Sequence, residues 1–150
     1  MAPSYPDLNE IEKQMNVLYI LVHPLFYKFS CRPEKQYVKS LKVLLRSNPT
    51  LLVCVEKCRL EETKEFISAV SQNLQLHFVI TEFSSAHPIK GWEYFYKIVS
   101  DFEPDTIIIG GAQLSGDKKS GYGNCVGFTY NVLKQRFSKV QLDFKTCYKV

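Results

Sequence analysis

The sequence lacks the long apolar segments, the one-sided charge and the paired cysteines that mark several classes of protein. Its longest apolar runs fall far short of the roughly 20 residues that a membrane-spanning helix needs. The first residues contain no basic segment followed by an apolar core, as a secretory signal peptide would. The net charge is only +4, and no stripe of lysine and arginine stands out. We therefore expect neither membrane insertion nor nucleic-acid binding.

The number and spacing of the cysteines argue against disulfide bonds and against a structural zinc site. There are five, an odd number at irregular spacings, so they do not form a disulfide framework. Without a secretion signal, we expect reduced thiols in a cytoplasmic protein. Cys54 and Cys58 lie close together in the sequence, but no second pair completes the four ligands of a structural zinc site. We expect no bound metal.

What the sequence does contain is an alternation of strand-like and helix-like segments. A chain of 150 residues has the length of a single domain, and we expect residues 1–150 to form one. Within it, residues 1–14 are predicted to be a loose N-terminal lead-in to the first strand. Three continuously apolar segments indicate strands buried on both faces: 17–22, 51–55 and 106–109. Two further segments alternate apolar and polar residues, as edge strands do: 74–83 and 140–150.

Amphipathic segments between these strands predict helices that cross over the sheet. Strands separated by helices form a parallel sheet with right-handed crossovers and helices on both faces. Because the third and fifth strands alternate, we place them at the edges. The sequence therefore predicts a Rossmann-like, three-layer α/β sandwich with a five-stranded parallel sheet in the order 3-2-1-4-5.

This strand order predicts where a ligand would bind. Strands one and four become neighbours at the switch point, beyond whose carboxyl ends open α/β sheets bind ligands. His23 arrives there from strand one, and the glycine-rich segment 110–124 arrives from strand four. Glycines allow close approach of a ligand, and the helix predicted from Cys125 would present its N–H groups to an anion. The predicted ligand-binding residues are Gly110, Gly111, Ser115, Gly116, Lys118, Gly123 and Asn124.

The same segment resembles the universal stress protein family, which belongs to the adenine-nucleotide-binding superfamily. Its ATP-binding members carry Gly, two residues, Gly, nine residues, then Gly followed by Ser or Thr. Here that frame is occupied by Gly110, Gln113, Gly123 and Asn124, with Ser115-Gly116 inside the loop. Gln113 replaces the middle glycine, Asn124 replaces the hydroxyl residue, and His23 stands near the family's acidic position. The resemblance implies a bound ATP or another adenine nucleotide.

Cys125 supports a different hypothesis. A cysteine in the first turn of a helix has its thiolate stabilised by the dipole, which lowers the pKa and favours nucleophilic attack. His23 could act as its base, and Lys90 follows strand three. The run from Cys125 to Leu133 resembles the nucleophile helix of the isochorismatase-like hydrolases. That family's triad of Asp, Lys and Cys implies catalytic roles for Lys90 and Cys125, while the His23 region occupies the Asp position.

Three functions therefore remain open at the level of sequence. The preferred one is a cytoplasmic protein that binds a nucleotide or another small phosphate-bearing ligand, similar to universal stress proteins. The second is a cysteine hydrolase of the isochorismatase-like type that uses Cys125. The third is a non-catalytic interaction protein whose site is vestigial. The half-exposed edge strands also favour a homodimer.

Overall fold

The computed structural model describes residues 16–25, 35–72, 74–83 and 85–150, and the predicted lead-in at 1–14 lies outside these ranges. Within them the chain forms six strands, four helices and a short 3-10 turn. The strands are β1 (Val17–Val22), β2 (Thr50–Glu56), β3 (Gln75–Thr81), β4 (Thr106–Asp117), β5 (Gly121–Gly123) and β6 (Val140–Lys149). The helices are α1 (Lys35–Arg46), α2 (Leu60–Val70), α3 (Trp92–Asp101) and α4 (Asn124–Lys134), and the 3-10 turn is Lys57–Arg59. None of these helices has the length and apolarity needed to cross a membrane.

Five of the strands form a parallel sheet in the order β3-β2-β1-β4-β6. β6 corresponds to the fifth predicted strand. The predicted order of neighbouring strands is therefore confirmed, and so is the placement of the two alternating strands, β3 and β6, at the edges. The prediction of only five strands, all parallel, is wrong, because β5 pairs antiparallel with the end of β4. β5 has the sequence Gly-Tyr-Gly, and glycine is depleted in strands, so no strand-like pattern marks it.

Helices cover both faces of the sheet, which gives three layers. Leu18, Ile20 and Val22 of β1 belong to the core beneath α3 and α4. Tyr19 and Leu21 belong to the core beneath α1 and α2. Side chains alternate between the two faces of a strand, so a strand covered on both faces needs apolar residues at every position. This requirement explains the continuous apolar run of β1.

The edge strand β6 contains a bulge, which we name the β6 bulge and define as residues 143–146. These residues lie between Leu142 and Cys147, both of which pair with β4, and they stand opposite Gly110 alone. A Cβ atom at Gly110 would collide with the side chain of Thr146. The β6 bulge can therefore pack against β4 at position 110 only because glycine has no side chain there.

The predicted glycine-rich loop is a β-hairpin for most of its length, which corrects the sequence interpretation. β4 continues past its β-branched residues as far as Asp117, and β5 returns after a turn. Asp117 organises this turn, because its Oδ1 accepts the backbone N–H groups of Lys119 at 2.8 Å and Ser120 at 2.6 Å. Gly116 and Gly121 flank the turn with φ of +78° and +93°. Their backbone freedom is thus used to build the hairpin.

Candidate functional site

The carboxyl ends of β1, β2 and β3 bring three polar side chains together. Glu56 ends β2 and pairs in register with Thr81, which ends β3. His23 follows β1, and its Nε2 lies 2.7 Å from Thr81 Oγ1. His23 Nδ1 lies 3.9 Å from Glu56 Oε1, which is beyond hydrogen-bond distance. The His23 ring therefore spans the ends of three strands, at the edge that the strand order predicts.

These three side chains face the interior of the protein. His23, Glu56 and Thr81 are 3%, 2% and 1% exposed. Burial lowers the pKa of His23 to about 4, because the charged imidazolium is poorly solvated there. The ring is therefore neutral at neutral pH, with one donor and one acceptor nitrogen. A cavity that His23 and Glu56 line together with Arg59 and Thr63 has a volume of about 10 Å³, which is too small for a ligand.

Sequence reasoning missed Glu56 and Thr81. Each ends a parallel strand, and the carboxyl ends of neighbouring parallel strands meet at one edge of the sheet. A carboxylate directly after the apolar residues Leu51 to Val55 was the available signal. The sequence prediction places the site at strands one and four, and Glu56 and Thr81 end strands two and three.

The first turn of α4 holds the predicted nucleophile. Cys125 is the second residue of the helix, is half-buried, and packs against the core beneath α3 and α4. The predicted lowering of its pKa is wrong: burial raises the pKa of Cys125, and the negative charge of Glu56 raises it further. Because its pKa is raised above the ordinary value for a thiol, Cys125 stays protonated at neutral pH.

The other two predicted catalytic residues have partners of their own. Lys90 is exposed in the segment after β3, with its Nζ 5.0 Å from the ring centroid of Tyr94. His23 interacts with Thr81, as described above. Lys90 therefore has a contact of its own, whereas His23 and Cys125 share a neighbour in Glu56, which lies 3.9 Å from His23 Nδ1 and raises the pKa of Cys125.

Two of the predicted ligand-binding glycines are explained by packing within the fold. Gly111 has a φ of +118°, and a Cβ atom there would lie 2.6 Å from the backbone nitrogen of Val22. A Cβ atom at Gly123 would lie 2.8 Å from Ser115 Oγ. Glycine at these positions lets β4 approach β1 and β5 approach β4.

Two more of the predicted ligand-binding residues, Lys118 and Asn124, are exposed to solvent, whereas Ser115 is half-buried. Lys118 is exposed at the turn of the hairpin. Asn124 is exposed, begins α4, and has a φ of +60°. Among the residues that the structure describes, no side chain caps the start of α4, whose N-cap is Gly123. The first N–H groups of α4 therefore have no hydrogen bond from a capping side chain.

An aromatic cluster lies beside the start of α4, and we define it as His87, Trp92 and Phe128. The three ring centroids are 5.5 Å to 5.7 Å apart. Trp92 Nε1 donates a hydrogen bond to His87 Nδ1 at 3.0 Å, which holds the segment after β3 against α3. Phe128 lies one turn after Asn124 on α4 and is 43% exposed. The aromatic cluster thus presents flat apolar surface close to the uncapped helix start.

The described residues contain no group of three or more His, Cys, Asp or Glu side chains that could hold a metal ion. Comparisons with protein-family models, with curated proteins and with solved structures find no match.

Proposed function

We propose that the protein binds a small phosphate-bearing ligand, with an adenine nucleotide as the first candidate, at the start of α4. The observation that carries this proposal is the helix start without a side-chain cap, next to the carboxyl ends of the central strands. An uncapped helix start offers backbone N–H donors and the positive end of the helix dipole. Both favour an anion, and phosphate is the anion that such sites most often bind.

The surroundings of α4 supply two further contacts for a nucleotide. Lys118 and Lys119 are exposed at the hairpin turn, which β5 (Gly121–Gly123) joins to the start of α4. Their charges would attract a polyphosphate, and this attraction would weaken as salt increases. The aromatic cluster, with Phe128 on α4 itself, offers ring faces on which a base can stack.

The proposal is tested by calorimetric titration with ATP, AMP and inorganic phosphate at low and at high salt. We expect saturable binding of ATP that is tighter at low salt. Lys118→Ala should reduce the affinity at low salt, whereas Lys42→Ala on α1, across the sheet, should not.

A sharper test places a negative charge at the helix start. Asn124→Asp preserves the shape of the side chain, and Asp tolerates the left-handed backbone that Asn124 adopts. A carboxylate near the phosphate should weaken binding about tenfold or more. The same charge should stabilise α4 by about 0.3–1 kcal/mol, so loss of binding cannot be due to unfolding. Gln135→Glu, at the other end of α4, is the matched control.

Two results would end this proposal. One is the absence of saturable binding for all three ligands, which would favour the interaction protein. The other is binding of ATP with equal affinity to Asn124→Asp and to the parent chain, which would place the site elsewhere.

A second candidate, a cysteine hydrolase, is favoured by one observation. Glu56, at the end of β2, lies close enough to Cys125 for its charge to raise the pKa of the thiol. In a hydrolase this carboxylate would be the base that accepts the thiol proton, a role for which the segment after β1 has no acidic residue. In such an enzyme the thiol sulfur bonds to a substrate carbonyl carbon, its proton passes to the leaving group, and water hydrolyses the thioester. Mass spectrometry after incubation with p-nitrophenyl acetate should then detect one acetyl group that Cys125→Ser removes. Labelling that is unchanged in Cys125→Ser would exclude the hydrolase.

A further inference from the structure

The β6 bulge holds a carboxylate in a fixed position on the face of the sheet opposite α4. Tyr19, in the middle of β1, is 5% exposed and donates a hydrogen bond from its hydroxyl to Asp143 Oδ2 at 2.5 Å. The hydroxyl also lies within hydrogen-bond distance of Thr146 Oγ1. Burial raises the pKa of Tyr19, and so does its hydrogen bond to Asp143. The phenol therefore keeps its proton at neutral pH and donates it to the carboxylate.

The Asp143 carboxylate is oriented from both sides but is not saturated. Its second oxygen, Oδ1, accepts the backbone N–H of Lys145 at 3.2 Å. An ionised carboxylate has about four lone-pair positions, so two donors leave room for others. Orientation by a buried hydroxyl and by the backbone makes Asp143 a preorganised acceptor.

Asp143 lines a cavity between the β6 bulge and α1. The cavity has a volume of about 300 Å³ and is also lined by Lys39 and Ser40 of α1 and by Lys145 of the bulge. This volume lies at the lower end of the range for small-molecule sites. The lining combines one fixed carboxylate, two lysines, an amide and two hydroxyls, with an apolar wall from Val43 and Leu44.

We propose that this cavity is a second binding site, for a small amino compound that carries two anionic groups. The Asp143 carboxylate would accept N–H donors from the ammonium group of the ligand. Lys39 and Lys145 would each pair with one anionic group. With two cations and one anion the lining has a charge of +1, so the complementary ligand has a net charge of −1. An acidic amino acid is the simplest compound of this class.

The test uses ¹⁵N-labelled protein titrated with L-glutamate and with L-aspartate, followed through the backbone amide resonances. At least one of the two should produce saturable shifts in the resonances of α1 and of residues 143–146. Asp143→Asn keeps the shape of the side chain and should weaken binding at least tenfold. Lys39→Ala and Lys145→Ala should each weaken it several-fold, and Lys97→Ala, on α3 across the sheet, is the control.

Other results would overturn the proposal. It fails if neither amino acid produces saturable shifts, or if the shifts survive both Asp143→Asn and Lys39→Ala unchanged. It also fails if acetate, which lacks the ammonium group, binds as tightly as L-glutamate, because Asp143 would then have no role. Thermal unfolding of each variant shows whether it is folded, and the two lysine variants decide the matter if Asp143→Asn unfolds.

Discussion

The pH dependence of folding should reveal the buried imidazole of His23. Its pKa is about 4 in the folded chain, compared with an ordinary value of 6.5. Above pH 6.5 the ring is neutral in both the folded and the unfolded state and has no effect on the pH dependence. Between pH 6.5 and about 4, the unfolded state binds a proton that the folded state does not. The free energy of unfolding therefore falls as the pH falls through this window.

The size of the effect follows from the difference between the two pKa values. A difference between 6.5 and about 4 corresponds to about 3 kcal/mol, at about 1.4 kcal/mol for each pKa unit. His23 is 3% exposed, so solvent screening does not reduce this value much. Such a loss is a large part of the stability of an ordinary domain.

The assay is urea unfolding at a series of pH values, followed by circular dichroism, for the parent chain and for His23→Asn. Asn does not titrate in this range, and it tolerates the φ of +44° that His23 adopts. The substitution itself lowers the free energy of unfolding by an amount that does not depend on pH. The two proteins are therefore compared by how much this free energy changes between two pH values. Between pH 7 and pH 4 the parent chain should lose about 3 kcal/mol more than the variant. His87→Asn, which removes an exposed imidazole, is the control.

A dominant interaction between His23 and Glu56 would change stability with pH in the opposite direction. If the interaction with Glu56, 3.9 Å away, dominated over burial, the pKa of His23 would be raised. The parent chain would then gain stability relative to His23→Asn as the pH falls below neutral. Either that gain or two parallel pH profiles would refute the reasoning from burial.

Three further predictions follow from single positions. Gly111→Ala should destabilise the chain by several kcal/mol in urea unfolding, because its Cβ atom would collide with the backbone of β1 at a φ of +118°; a loss below about 1 kcal/mol would contradict this packing. Cys125 should react with iodoacetamide more slowly than an unstructured thiol at pH 8, because burial and Glu56 raise its pKa; equal rates would contradict the burial. Asp117→Ala should reduce the protection of the Ser120 amide against hydrogen exchange, measured relative to the intrinsic rate at each pH, and in the parent chain that protection should be lost only when the pH falls below the ordinary range of Asp, because hydrogen bonds with Ser120 lower the pKa of Asp117; unchanged protection in Asp117→Ala would contradict this role.

The strand order could be predicted because burial alone produces the two patterns on which it depends. β1 is covered on both faces and is apolar throughout, whereas β3 and β6 alternate at the edges. The hairpin of β4 and β5 could not be predicted in this way. Its strands are rich in glycine, and the pairing of Ser115 with Gly123 is specified by backbone geometry rather than by apolar pattern.

The sequence predicted where in the fold the candidate site residues lie, but it did not predict their protonation states or their contacts. The strand order predicts that His23 reaches the carboxyl edge, but burial there is set by elements from the whole chain. Burial therefore decides the pKa values of His23 and Cys125, and a sequence motif does not report it. The contact between Tyr19 and Asp143 joins residues 124 positions apart, which no local pattern indicates.

The β6 bulge also limits how this chain can associate with itself. An exposed edge strand offers its backbone N–H and C=O groups to any other chain that can extend the sheet. In β6 the residues that keep register with β4 are divided into two short groups by residues 143–146. An incoming strand would lose its hydrogen-bonding partners after about three residues, since a bulge bends and twists the strand that contains it. Strand pairing with another chain at this edge is therefore disfavoured, and any self-association at β6 would need packing of side chains rather than extension of the sheet.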